Sequence, residues 1–183
     1  MTASSLNVIP IPGIVRVDTL KILGVTINDK LSMSHHVDNV CQSAAQSLYA
    51  IRLLKSKGMN LESVFTVCQA TVVSRLLYAV PAWWGFTKAE DKDKLQAVLN
   101  RAKRWGYYKA NDPNIAELCS KREDQLFKNV LSNPHHVLHQ FLPPVKTFSY
   151  NLRKRGHNRE LPTKSTSLVS RNFFCRLLYS TIA

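Results

Sequence analysis

Residues 34–105, SHHVDNVCQSAAQSLYAIRLLKSKGMNLESVFTVCQATVVSRLLYAVPAWWGFTKAEDKDKLQAVLNRAKRW, decide the fold. Three apolar stripes follow one another along this stretch. In the first, Val37, Val40, Cys41, Ala44, Leu48, Ile51 and Leu54 recur in steps of three or four, which puts them on one helical face. The spacing predicts a helix from Ser34, as N-cap, to Lys57, with Gly58 as a left-handed stop and Lys55 and Lys57 facing the negative end of the helix dipole. Asn60 caps a second helix running to Ala79, with Leu61, Phe65, Cys68, Val72, Leu76 and Ala79 on its stripe and Val64, Val67 and Val73 widening it. So broad a stripe implies burial against more than one neighbour. Pro81 cannot continue that helix, because it lacks a backbone donor. Thr87-Lys88-Ala89-Glu90 reads as a capping box for a third helix, whose apolar face is Leu95, Val98, Leu99, Ala102 and Trp105. Connections this short favour a compact antiparallel bundle of three.

Upstream, residues 1–13 hold two prolines and a glycine and form a loose leader rather than a central strand. Ile14–Val17 is expected as a short strand and Asp18-Thr19 as a turn. Leu20–Ile27 is expected as a β-branched strand, with Gly24 marking a bulge or a close backbone approach. A two-strand unit is unstable alone and must lie against the helices or a partner sheet. Downstream, Asp112-Pro113 opens a helix over 114–132, with a bend at the polar gap Ser120–Asp124, and Asn133-Pro134 stops it. One or two further turns come next over His135–Phe141, then loop to Thr166 and a last helix over Leu168–Tyr179. The fold class is therefore mainly α: a small β-hairpin (1–33), a three-helix bundle (34–106), then a helix and a basic, loop-rich C-terminal region (107–183).

The 183 residues carry a net charge of +13 with a pI near 9.9. Residues 143–183 hold eight Lys/Arg against one acid, a net +7. An excess of this size points to a polyanion, and nucleic acid is the commonest; a merely basic soluble protein is the other reading. The chain is long enough to bury roughly two thirds of its unfolded surface. No uninterrupted apolar run of about 18 residues is present, so no membrane span is expected, and the N-terminus lacks the pattern of a secretory signal. Cys41, Cys68, Cys119 and Cys175 lie far apart, which suggests neither disulfides nor a cysteine zinc site and fits a reducing compartment, nucleus or cytosol.

Catalytic chemistry finds little footing. Glu90, Asp91 and Asp93 cluster, but at a helix start where dipole compensation explains them. His135, His136 and His139 have a spacing that puts two imidazoles on one helical face, short of the three or four ligands zinc needs. No activated nucleophile and no phosphate-binding glycine loop is present, so neither a catalytic nor a metal site is assigned. The strongest chemical signal is YNLRKRGHNR (150–159), where Tyr150 interleaves with Arg153, Lys154, Arg155 and Arg159. Cations neutralise phosphates and a tyrosine plane stacks on an unpaired base; a solvated basic loop is the alternative. Arg101, Lys103 and Arg104 form a second basic strip, which dipole compensation also explains. Trp83 and Trp84 are a stacking platform or, more in keeping with aromatic behaviour, a buried corner.

Four segments resemble one family. KILGVTINDKLSMSHHVDNV (21–40) is similar to the end of the palm in non-LTR (LINE-type) retrotransposon reverse transcriptases, through Leu23, Gly24, Val25, Ile27, Leu31, Ser32 and His36. SRLLYAVPAWWGF (74–86), LQAVLNRAKRW (95–105) and LSNPHHVLHQFLPP (131–144) resemble the thumb and the region after it, in the same order. The resemblance implies a palm-end hairpin remnant with Leu23, Gly24 and Val25 near the primer terminus, and a thumb-like bundle that grips RNA or an RNA/DNA duplex. It also implies an RNA-directed DNA polymerase whose metal-binding aspartates, with their magnesium, belong to a palm preceding Lys21. The chain alone is then expected to be inactive and to hold no cofactor. Its partners are nucleic acid and the missing palm and fingers, not a membrane or a small-molecule substrate. A helical protein-interaction module is the alternative.

Overall fold

The computed structural model describes residues 12–13, 15–146 and 156–180. The molecule is mainly helical, with one two-stranded antiparallel sheet among the described residues. Strand β1 (Thr19–Ile22) pairs with β2 (Val25–Asn28), Ile22 opposite Val25. The single strand expected over Leu20–Ile27 is thus a hairpin. Leu23 (φ 46°) and Gly24 (φ 86°) are its two turn residues, both in the left-handed region that a tight hairpin matching strand twist requires. Leucine there hides the signal that Asn-Gly would have given. The turn expected at Asp18-Thr19 is instead the entry to β1, and Val15–Val17 form no strand; Ile14 lies outside the described residues.

Helix α1 (Ser34–Ser56) comes next, and its N-cap is Met33 rather than Ser34. Gly58, at φ 96°, ends the helix as its sequence position implies. The second helix is less regular than its stripe suggests. α2 (Leu61–Cys68), capped by Asn60, passes through a π-helical turn at Gln69–Val73 into α3 (Ser74–Leu76). The chain then breaks at Ala79, which is left-handed at φ 51°, and restarts as α4 (Val80–Trp83), with Pro81 in its first turn where a missing donor costs nothing. A 3-10 turn at Trp84–Phe86 leads to α5 (Ala89–Arg104). The capping box at Thr87 does not form: Thr87 Oγ1 donates to the Trp83 carbonyl at 3.1 Å, and Lys88 takes the cap position. The Ser34 hydroxyl donates to Asp91 at 2.7 Å, tying the start of α1 to α5.

Residues 61–86 also have the length and mean hydropathy, 1.4, of a membrane-crossing segment. Here Val64, Cys68, Val72, Leu76, Val80 and Trp83 from this stretch are buried among the other helices. α1 lies against α2 and α5. Asp38 and Lys94 meet near the starts of α1 and α5, and Lys55 in the last turn of α1 meets Tyr107 just past the end of α5, so the two helices run parallel and α2 returns between them in sequence. Val37, Ala44, Leu48 and Ile51 of α1 close on Leu95, Val98, Leu99 and Ala102 of α5 in one core.

α6 (Ile115–Ser132) is capped by Asn114 and Glu117 in a reciprocal box, not by Asp112, and runs unbroken through Ser120–Asp124. The last helix of the sequence reading is two: α7 (Ser167–Arg171) and α8 (Phe173–Ser180) are separated at Asn172. The first half of α6 contributes Ile115 and Cys119 to the main core; its second half, with Phe127, packs on α8 through Leu177 and Leu178. A 3-10 turn, His139–Phe141, and a bridge between Val145 and Arg159 lie between α6 and α7.

Gly85 holds this C-terminal part in place. A Cβ on it would fall on the Arg171 carbonyl oxygen and within 2.5 Å of Arg176 Nε, while the Arg176 guanidinium pairs with the buried carboxylate of Glu123. Gly85→Ala is therefore expected to lower stability by about 1–3 kcal/mol, the cost of forcing an atom into a filled site. Limited proteolysis checks it: cleavage should appear first between α6 and α7, and an unchanged digestion pattern contradicts the packing described.

Candidate nucleic-acid interface

Two features face solvent with positive charge. The first is a groove of about 850 Å³ between the hairpin, the first half of α1 and the stretch from the π-turn to Tyr78. Its floor and walls include Lys21, His36, Asn39, Gln42, Arg75 and Tyr78, and no carboxylate lines it among the described residues. Each element positions its residue for a local reason. Register places Thr26 opposite Lys21, and the Thr26 N–H donates to His36 Nδ1 at 3.4 Å, which ties β2 to α1. Helical spacing carries Asn39, Gln42 and Ser43 along one face of α1. Beside the π-turn the Thr71 hydroxyl donates to the Val67 carbonyl and the Ser74 hydroxyl to the Ala70 carbonyl, so both satisfy backbone acceptors of the wider turn.

Arg75 anchors one wall: its Nη1 donates to the Ser43 carbonyl at 2.8 Å and to Ser47 Oγ at 2.9 Å. Tyr78 anchors the other, its hydroxyl donating to the Leu23 carbonyl at 3.0 Å while its ring edge rests on Gly24, where a Cβ would sit 3.1 Å from Cε1. The close approach expected at Gly24 is this contact. Asp38, next to Asn39 in sequence, is turned away to Lys94, so it does not offset the groove's charge. Lys94 also holds Asp91, and the two carboxylates raise its pKa above the ordinary lysine value.

His36 is buried behind the groove. Because Nδ1 accepts from Thr26, the proton sits on Nε2, which is enclosed without a hydrogen-bond partner among the described residues, beside the edge-on ring of Trp83, centroids 5.1 Å apart. Burial, and then the charge of Lys21, lowers its pKa from the usual 6.5. The unfolded chain thus binds a proton that the folded chain resists. Stability is full above about pH 6.5 and falls as pH drops below it toward the folded value. Thermal melts from pH 8 to 5 should show that fall, and His36→Gln should flatten it; an equal slope in both proteins contradicts this assignment.

The second feature is the end of the molecule where α1 and α5 both finish. Lys55, Arg101 and Arg104 stand in their last turns, Lys57 is the C-cap of α1, and Lys109 follows α5, its ammonium 5.4 Å from the Phe65 ring centre. Two helix C-termini favour cations there whatever the ligand. Arg101 and Arg104 are exposed. Lys103 is half-buried and donates to the Ala110 and Asp112 carbonyls at 3.0 and 2.9 Å, so it closes the following loop rather than facing a phosphate.

The remaining sequence candidates separate. Leu23, Gly24 and Val25 are the hairpin turn and its exit; of the three only Gly24 lines the groove, while Leu23 is exposed and Val25 buried. Arg159 is half-buried, bonded to the Pro143 carbonyl and to His139 Nε2. Tyr150, Arg153, Lys154 and Arg155 lie outside the described residues. His139 is engaged on both nitrogens, with Nδ1 against the Val130 carbonyl at 2.7 Å, and His136 Nδ1 accepts from the Leu138 N–H. No group of three metal-binding side chains gathers among the described residues. Burial pushes the thiols of Cys41 and Cys68 up to about 11 and that of Cys119 to about 12, which leaves them unreactive. Trp83 and Trp84 are the buried corner, not a platform.

Sequence reasoning missed Lys21, Arg75 and Tyr78. The available signal was Ser74, Arg75 and Tyr78 standing in the otherwise apolar run from Val72 to Val80. Compared with known protein families, characterised proteins and solved structures, the chain matches none.

Proposed function

We propose that this chain is a nucleic-acid grip from a non-LTR (LINE-type) reverse transcriptase: the end of a palm and a thumb-like bundle that hold RNA or an RNA/DNA duplex through phosphates. The observation that carries the reading is the groove, where Lys21 and Arg75 meet amides, hydroxyls and Tyr78 with no lining carboxylate among the described residues. Such a surface attracts a polyanion and has no acid to bind the catalytic metal of a polymerase. In this reading the copying chemistry, with its magnesium, resides in a palm preceding Lys21. Leu23, Gly24 and Val25 lie beside the primer end, and Arg101 and Arg104 extend the contact along the backbone. Tyr150, Arg153, Lys154 and Arg155 add a basic tail. The setting is the nucleus or cytoplasm, wherever template RNA is met.

Filter-binding titration of the chain against an RNA/DNA duplex at rising salt tests the proposal. Phosphate-driven binding loses affinity with a slope near 0.9 per phosphate contacted. Affinity that does not fall with salt contradicts it.

A second reading, a helical protein-interaction module, is favoured by one observation. Every residue of β1 is exposed, and Leu20, Ile22 and Leu23 present apolar surface beside its open edge. Pull-down with and without nuclease separates the two: capture that survives nuclease supports the protein module.

A further inference from the structure

We infer that the groove between the hairpin and α1 receives unpaired nucleotides, not the body of a duplex, with a base on Tyr78 and phosphates on Lys21 and Arg75. The inference rests on the nucleic-acid reading above and specifies which form of the polymer enters this site.

Size is the first argument. A groove of about 850 Å³ equals a cube roughly 9–10 Å on a side, less than the roughly 12 Å width of the major groove of B-form DNA, and a double helix of either form is wider than its own grooves. A helix lying across the mouth would touch only its rims. A strand freed from pairing is narrow enough to enter, and the volume falls in the range of sites that enclose small ligands.

Chemistry is the second. Tyr78 is 55% exposed, and its ring is fixed by the hydroxyl on the Leu23 carbonyl and by Gly24 against Cε1. A ring held this way is a preorganised stacking surface, and base stacking on an aromatic is tolerant of sequence. Around it stand Asn39 and Gln42, whose amides both donate and accept and so suit base edges. Arg75 presents Nη1 to the backbone of α1, and among the described residues its Nε and Nη2 carry no partner, which leaves donors for phosphate. Lys21 lines the same groove from the hairpin. Cations and an aromatic lining one groove are the pattern of single-strand channels, whereas a duplex grip needs cations alone.

The backbone adds a third observation. The π-turn at Gln69–Val73 forms part of the wall, together with Thr71 and Ser74, and single π-turns within α-helices occur often at functional sites.

Fluorescence anisotropy with three probes tests the inference: a blunt RNA/DNA duplex, the same duplex with a short unpaired overhang, and the overhang sequence alone. Wild type is expected to bind the overhang duplex at least about fivefold more tightly than the blunt one, the lower end of what one stacked base contributes. Tyr78→Leu should abolish the difference. Tyr78→Phe keeps the ring and loses only the hydroxyl bond, so it should keep most of the difference and separates stacking from anchoring of the hairpin. Equal affinity for blunt and overhang duplexes, with normal salt dependence, overturns the inference and leaves the nucleic-acid reading standing. Failure to bind any of the three probes overturns both.

Discussion

Trp83→Ala is expected to remove about 3–5 kcal/mol of stability, enough to leave a marginally stable chain largely unfolded at room temperature. Trp83 is fully buried and joins three parts of the structure. Its indole N–H donates to the Tyr78 carbonyl at 2.9 Å, across the break at Ala79. Its ring stands edge-on to His36 of α1 and to Trp84, and its carbonyl receives the Thr87 hydroxyl that displaces the expected capping box. Truncation leaves a cavity, an unsatisfied Tyr78 carbonyl and an unsupported His36 together. Trp83→Phe fills most of the volume and should cost much less. Denaturant melts of both variants check the order; similar midpoints for alanine and phenylalanine would contradict the role given to this ring.

The double substitution Lys21→Ala with Arg75→Ala should weaken binding of RNA, or of a duplex with an unpaired end, by about tenfold or more near 0.1 M salt. It should also reduce the salt slope by roughly 2, one unit for each phosphate no longer neutralised. Folding should survive, because Lys21 is exposed and Arg75 lies at the solvent edge of α3. Arg101→Ala with Arg104→Ala is the comparison. Those side chains sit in the last turn of α5, where the partial negative charge of the helix end offsets part of their field. A smaller loss is expected from them, and a larger one would move the centre of binding to the far end of the bundle.

The helical body was readable because burial leaves a periodic trace. The steps from Val37 to Ile51 and from Leu95 to Ala102 result directly from one face packing inward, and both faces are buried. Cap details were less readable, since a side chain that can cap a helix can also bond elsewhere. Ser34 goes to Asp91 and Thr87 to the Trp83 carbonyl, and both choices depend on a neighbour distant in sequence or on a bend in the chain. The hairpin itself was expected, but its turn lies at Leu23-Gly24 and not at Asp18-Thr19, hidden by a leucine at a left-handed position and held there by the Tyr78 hydroxyl on its carbonyl. The groove was hidden for a related reason. Its residues are polar positions on three separate elements, and only the packing of the hairpin and α3 onto α1 brings Lys21, Asn39 and Arg75 together. His36 looked like an ordinary histidine at a helix start; its burial against Trp83 is a tertiary effect with no local mark.

Photo-cross-linking of the bound chain to an RNA/DNA duplex with an unpaired end, followed by peptide mapping, asks most directly where nucleic acid sits. Cross-links are expected in residues 21–26, 36–47 and 69–78, with weaker ones near Arg101 and Arg104. Cross-links confined to residues 143–183, with the groove untouched, would contradict it.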